Sequence, residues 1–291
     1  MLRFTKLHGA GNDFILVETR DTERDWSCLA RAMCDRHYGV GADGLLLLLP
    51  STTADFGMRE FNADGSESDA CGNGLRCLGK YVMDTRLANT TKNEVLIETG
   101  AGTRKFISAR TDDGAIKIQV TMGMPRFKAG EIPVKAGAEG EQVDIKLIIY
   151  PLAVADWELP LSFVSMGNPH AVYFWDGIVS DFPLAQVGPA VEHHQIFPER
   201  TNFEVARVTS RRCIEARVWE RGVGETLACG SGACAIAVVA QLRDYVDNNV
   251  DIIYPGGTLE VEWDGKGEVL LGGPTETVFS GEWSDEIITA T

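Results

Sequence analysis

Apolar and polar positions along the 291-residue chain mostly follow a period of two, which predicts a fold built from strands. The segments EVLIETG (94–100), AIKIQVTMG (115–123), DIIYPGGTLEVEWDG (251–265) and GEVLLGG (267–273) alternate apolar with polar residues. Half-buried strands do this because successive side chains point to opposite faces. Asp113-Gly114 and Asp264-Gly265 are turn signals beside such runs. The unbroken run Leu45–Leu49 reads as a buried strand, far short of the roughly 20 residues a membrane helix needs. Two stretches change to a helical pattern, and both follow the same tripeptide, Ala70-Cys71-Gly72 and Ala228-Cys229-Gly230.

That tripeptide belongs to a longer internal repeat. DACGNGLRCLGKYV (69–82) corresponds to LACGSGACAIAVVA (227–240), and upstream REFNADGSES (59–68) takes the place of RVWERGVGET (217–226). Cys71 and Cys229 are 158 residues apart, as are Asn62 and Glu220; Asn12 and Asn168, in GAGNDFILV and SMGNPHAVY, are 156 apart. Matched offsets of this kind mark a duplication. They predict an α+β protein of two pseudo-symmetric domains, residues 1–118 with 275–291 and residues 119–274. Each would hold strands, a central helix opened by Ala-Cys-Gly, and more strands. The closing segment ETVFSGEWSDEIITAT (276–291) is expected to return as a strand to the first domain.

Composition narrows the class of function. A hydrophobic content of 44% and a charged content of 24% are those of a globular protein. A net charge of -15 argues against nucleic acid as a partner but does not bear on a small charged substrate. MLRFTKLHGAGNDF lacks the apolar centre of a signal peptide, and seven cysteines form no extracellular framework, so free thiols and a cytoplasmic location are expected. No membrane association is expected, and a symmetric homodimer is a common assembly for enzymes of this size. Cys28, Cys34, Cys77, Cys213 and Cys234 lack the repeated flanks and read as packing residues, Cys77 and Cys234 in the helix cores. No metal site is expected, because the cysteine gaps lack close pairing and His193-His194 reads as a solvated pair. GLRCLGKY (74–81) is close to a phosphate-loop spelling, but Tyr81 replaces the Ser or Thr and no strand leads directly into it.

Cys71 and Cys229 are different. A helix opens with unpaired N–H groups and the positive end of its dipole, so a thiol there gains thiolate character beside a ready anion cradle. Gly72 and Gly230 let a ligand approach the backbone. Two such halves facing each other would set thiols on opposite sides of one cleft. Inverting a carbon centre next to a carboxylate needs a base on one face and an acid on the other. Aligned N–H dipoles would stabilise the charge that builds on the carboxylate. Such chemistry requires no cofactor.

HGAGNDF, FNADGSESDACGNGLRC, SMGNPH, FPERTN and WERGVGETLACGSGACA together resemble the diaminopimelate epimerase family, across nearly the whole chain and in the family's order. The resemblance implies two barrel-like sheets, each around a central helix. It also implies a cofactor-independent, two-base epimerase that interconverts LL- and meso-diaminopimelate in lysine and peptidoglycan precursor synthesis. Carried over by position, Cys71 and Cys229 are the acid/base pair. The N–H groups of Gly72, Asn73, Gly230 and Ser231 cradle the reacting carboxylate. Asn12, Asn62, Asn168, Asn202, Glu220 and Arg221 contact the substrate, and His170 sits close to the thiols. Gly44 departs from the pattern, since many family members carry Gln there.

The residue types suit that reading. A second zwitterion needs a cation for its carboxylate, which Arg221 offers in fork geometry, and acceptors for its ammonium, which Glu220 and the asparagines offer. A related cofactor-independent racemase of the proline racemase kind would keep both thiols but need no distal clamp. A thiol-disulfide oxidoreductase lacks its C-x-x-C here, and a non-catalytic amino-acid binding protein would leave the thiols unexplained.

Overall fold

Strands dominate both halves of the chain, as the two-residue period predicts. The computed structural model describes residues 1–68, 72–87, 94–110, 116–135, 149–154 and 156–284. Cys71 and the Asp113-Gly114 turn signal lie outside the described residues. The chain forms two units, Met1–Thr121 with Gly272–Thr291 and Met122–Leu271. The first contains β1 (Leu2–Gly9), β2 (Asn12–Glu18), α1 (Trp26–Cys34), β3 (Gly44–Leu49), β4 (Phe56–Asn62), β5 (Glu67–Ser68), α2 (Gly72–Asp84), β6 (Glu94–Thr99), β7 (Gly102–Arg110) and β8 (Ile116–Thr121). The second contains β9 (Tyr150–Val154), β10 (Trp157–Ser165), β11 (Pro169–Phe174), α3 (Leu184–Glu192), β12 (Asn202–Ser210), β13 (Cys213–Glu220), β14 (Gly224–Thr226), α4 (Gly230–Leu242), β15 (Asn249–Tyr254) and β16 (Gly257–Glu262). The chain then passes through β17 (Leu270–Gly272) into β18 (Thr275–Trp283), which returns to pair antiparallel with β1.

The duplication is visible in the order of pairing. In the first unit β1–β2 is antiparallel, β2–β3 parallel, β3–β4 and β4–β5 antiparallel, β4–β6 parallel and β6–β7 antiparallel. In the second, β10–β11, β11–β12, β12–β13, β13–β14, β13–β15 and β15–β16 repeat that sequence of directions. Parallel neighbours need crossovers, and α1 to α4 lie in the four connections that supply them. Even the register is shared. Phe14 stands opposite Gly44 across β2–β3, and His170 opposite Asn202 across β11–β12. Two residues further along, Leu46 and Glu204 hold equivalent places.

α2 packs against β1, β2, β3, β7, β8 and β18, and α4 against β10, β11, β12, β15 and β16. α4 is buried continuously from Gly232 to Ala240, which is why its sequence is small and apolar on every face. GLRCLGKY lies inside α2 rather than in a loop, and its Lys80 pairs with Asp84 at 2.6 Å. β3 is buried at all six positions. Leu45, Leu47 and Leu49 face a core of Ile15, Val17, Trp26, Leu29 and Met33, while Leu46 packs beside Gly74 of α2. Each such leucine contributes about 1.5–3 kcal/mol of burial. Cys34, Cys77 and Cys234 are buried, whereas Cys28 and Cys213 are only half-buried. Burial pushes the Cys34 and Cys77 thiols up to about 12.

Gly44 is where packing leaves no room. A Cβ there would lie 2.9 Å from the Phe61 carbonyl oxygen and 3.3 Å from the Phe14 ring. Gly44→Ala is therefore expected to destabilise the protein by about 1–3 kcal/mol through overpacking, read as a lower urea midpoint at unchanged slope.

Candidate active site

Cys229 caps α4 from an extended backbone (φ -128, ψ 120), so the first-turn N–H groups of Gly230, Ser231 and Gly232 have no carbonyl one turn behind them. The residue is 6% exposed. Its Sγ lies 3.6 Å from Ser231 Oγ. The helix mouth favours a thiolate, and the surroundings of this sulfur oppose it. Burial first, then the Glu220 and Glu204 carboxylates, push the thiol well above its ordinary range, against the smaller opposite pull of Ser231 and the Gly232 N–H. These surroundings favour the neutral thiol over the thiolate.

A chain of polar side chains leads away from Ser231. Asn168 Nδ2 donates to Ser231 Oγ at 3.3 Å, and His170 Nε2 lies 2.9 Å from Asn168 Oδ1. An amide oxygen only accepts, so Nε2 carries a proton. On the other side of the ring, His170 Nδ1 meets Glu204 Oε1 at 2.6 Å, with both side chains fully buried. Tyr254 Oη, Glu204 Oε1 and the Cys229 Cβ all stand within 3.2 Å of the point where a Cβ on Gly232 would be. Gly232 keeps that cluster together because it has no side chain.

The β13–β14 hairpin carries Glu220 and Arg221. Glu220 Oε1 accepts from the Thr226 hydroxyl. The Arg221 N–H donates to Asn202 Oδ1 at 2.9 Å, and Asn202 Nδ2 donates to the Pro169 carbonyl at 2.9 Å. Both ends of the Asn202 amide are therefore engaged within the protein. Arg221 itself is exposed, with Nη1 3.2 Å from the Glu199 carbonyl oxygen. In the first unit, Asn73 Nδ2 donates to Asn12 Oδ1 at 3.0 Å, and Asn12 Nδ2 donates to Asp43 at 2.8 Å. Arg76, fully buried, donates to Asn73 Oδ1 at 2.8 Å, so the start of α2 is braced from below. Asn62 is exposed and bonds Ser66 at 2.9 Å. Gly72 is buried at the first turn of α2.

Comparison with known proteins gives this arrangement a family. The family model described as diaminopimelate epimerase matches residues 4–128 and 162–278. The chain is 45% identical over 97% of its length to diaminopimelate epimerase of Desulfovibrio desulfuricans, covering 98% of that protein. It is 44% identical to that of Acetivibrio thermocellus and 41% to that of Methanococcus maripaludis, again over 97% of this chain and 98% and 99% of theirs. The chain belongs to the diaminopimelate epimerase family. Among solved structures, a phenazine biosynthesis protein of the PhzF family from Bacillus anthracis superposes with a TM-score of 0.70 at 20% identity, covering 97% of this chain and 99% of that one. A probable proline racemase from Agrobacterium radiobacter gives 0.69 at 15%, covering 98% and 93%. These two share the fold.

Three residues of this diaminopimelate epimerase family member were missed by sequence reasoning. Glu204 and Tyr254 are strand residues buried against Cys229. Glu192, at the end of α3, is 3% exposed and accepts from Trp219 Nε1 at 2.8 Å and from the Gly222 N–H at 2.9 Å, which fixes the turn after Arg221. Glu204 left one signal, since it shares a face of its strand with Asn202. Among the described residues no group of His, Cys, Asp and Glu is placed to hold a metal ion, and no helix is long and apolar enough to cross a membrane.

Proposed function

We propose that this protein interconverts LL- and meso-diaminopimelate by removing and returning the α-proton, with Cys229 and Cys71 as the two acid/base groups and no cofactor. The observation that carries the reading is the buried thiol at the mouth of α4, in a chain 45% identical over nearly its whole length to a curated diaminopimelate epimerase. In the direction where Cys229 acts as the acid, its Sγ–H reprotonates the α-carbon while the Cys71 thiolate takes the proton from the opposite face. The charge that develops on the reacting carboxylate is stabilised by the N–H groups of Gly230 and Ser231 and, from the first unit, those of Gly72 and Asn73. Arg221 binds the distal carboxylate, Glu220 and Asn62 the distal ammonium, and Asn12 and Asn168 line the same substrate. Asn202 serves by holding the Arg221 backbone. A site built from such paired polar groups rejects amino acids without the distal head, because its own groups would be left unpaired.

Incubation with meso-diaminopimelate in D2O, without added cofactor, tests this. The expected result is α-deuterium incorporation together with the LL isomer, and no exchange by the reduced, folded protein would overturn the proposal. The reading extends to a cytoplasmic homodimer, which sedimentation velocity at micromolar concentration checks.

A further inference from the structure

The His170–Glu204 pair is the feature the fold explains least. The first unit builds the same β-strand register with Phe14 and Leu46 at these places, both buried. An apolar pair therefore satisfies the architecture. The second unit instead buries an imidazole and a carboxyl group 2.6 Å apart, a costly choice for packing alone.

We infer that Glu204 is a positioning residue for Cys229, acting through His170, Asn168 and Ser231. The contacts form one consistent set of donors and acceptors. With the Asn168 amide turning Oδ1 to His170 Nε2–H, its Nδ2 faces Ser231 Oγ. Because Ser231 Oγ already accepts that bond, its own O–H is free to point at the Cys229 sulfur. With Nε2 committed as a donor, the pair must hold one further proton, shared between His170 Nδ1 and Glu204 Oε1. If that proton were lost, Nδ1–H would face the carboxylate and Nε2 would become an acceptor. The Asn168 amide would then reverse, and the Ser231 hydroxyl would turn away from the sulfur. The groups that face Glu204 favour keeping the proton: Glu220 on β13, Cys229 on α4 and Tyr254 on β15 bring no positive charge. Burial, the largest influence, raises the Glu204 carboxyl, with His170 pulling the other way.

The role for which Glu204 positions the thiol rests on the proposed function, but the relay can be tested without substrate. The rate of Cys229 alkylation by iodoacetamide, followed by peptide mass spectrometry, reads the sulfur directly. Glu204→Leu removes both the relay and a carboxyl group that itself raises the thiol, so it is read against Glu204→Gln, which removes the same charge but can still donate an amide N–H to Nδ1. Alkylation in Glu204→Leu is expected to be about 10-fold slower than in Glu204→Gln, with its midpoint at higher pH, because the serine no longer supports the thiolate. Ser231→Ala should be slowed about 10-fold against the parent protein, and in that background Glu204→Leu should be no slower than Glu204→Gln. The variant His170→Phe/Glu204→Leu copies the pair that already packs in the first unit and serves as the arm safe for folding; it should show the same loss. In turnover, kcat is expected to drop about 10-fold with KM within about 3-fold. Equal alkylation in Glu204→Leu and Glu204→Gln, unchanged alkylation in Ser231→Ala, or a persisting difference between the two 204 variants in the Ser231→Ala background would each overturn the inference. Loss of turnover with unchanged alkylation would do so while leaving the epimerase reading intact. The converse result, the expected alkylation pattern with no α-proton exchange in the parent protein, would keep the relay and remove the epimerase.

Discussion

Cys229→Ala is expected to abolish epimerisation, lowering kcat by about 10³-fold or more while the protein stays folded. A positioned general acid contributes about 10²–10⁴-fold, and the variant lacks the Sγ–H that the proposed reaction uses. The Cys229 backbone, which caps α4, is untouched by the change, and the carbonyl oxygen of residue 229 still accepts from the Ala233 N–H. Stability should therefore change little, and circular dichroism with a urea titration will separate loss of chemistry from loss of fold. Chromatography resolving the LL and meso isomers is the decisive measurement. Cys71→Ala should be equally inactive. Epimerisation within about 10-fold of the parent rate in either single variant would refute the two-base assignment.

Arg221→Ala should produce the second large effect, a rise in KM of about 10–100-fold, the range expected for losing a charge-assisted pair with a carboxylate. Arg221→Lys should recover only part of it, because a lysine cannot present the planar fork. The side chain is exposed and its turn is held independently by Asn202 and Glu192, so thermal stability should be unchanged in both variants. If KM were unaffected and kcat fell instead, Arg221 would be acting on the reacting end of the substrate, and the proposed orientation would be reversed.

Much of this was legible in the chain because duplicated motifs keep their spacing. Ala-Cys-Gly before each central helix, the Gly-Asn before β2 and β11, and the alternating runs that became β6, β8, β15 and β16 all follow from local pattern. The parallel pairings of β2 with β3 and β11 with β12 were not legible, since they depend on what α1 and α3 bring together across more than 20 residues. Glu204 was hidden for a related reason. In NFEVARV an alternating strand is expected to turn its polar positions to water, yet here both faces are covered, one by Phe182 and Leu184 and the other by α4. The surroundings of Cys229 were not legible either, because helix position can be read locally, whereas the carboxylates of Glu204 and Glu220 arrive from two other strands.

The return of β18 to β1 sets an order on how the molecule can be made. The second unit is contiguous in sequence, so a ribosome releases all of its strands together. The first unit must wait: β1 leaves the ribosome first, but one of its two flanking strands is synthesised some 270 residues later. At ~5–20 residues per second that wait lasts tens of seconds. During it, β1 exposes the N–H and C=O groups of an unpaired edge, the feature through which nascent chains associate wrongly. Arg3 on β1, with its exposed side chain, is a charge that discourages such pairing, and translation rate rather than final stability would govern the yield of folded protein.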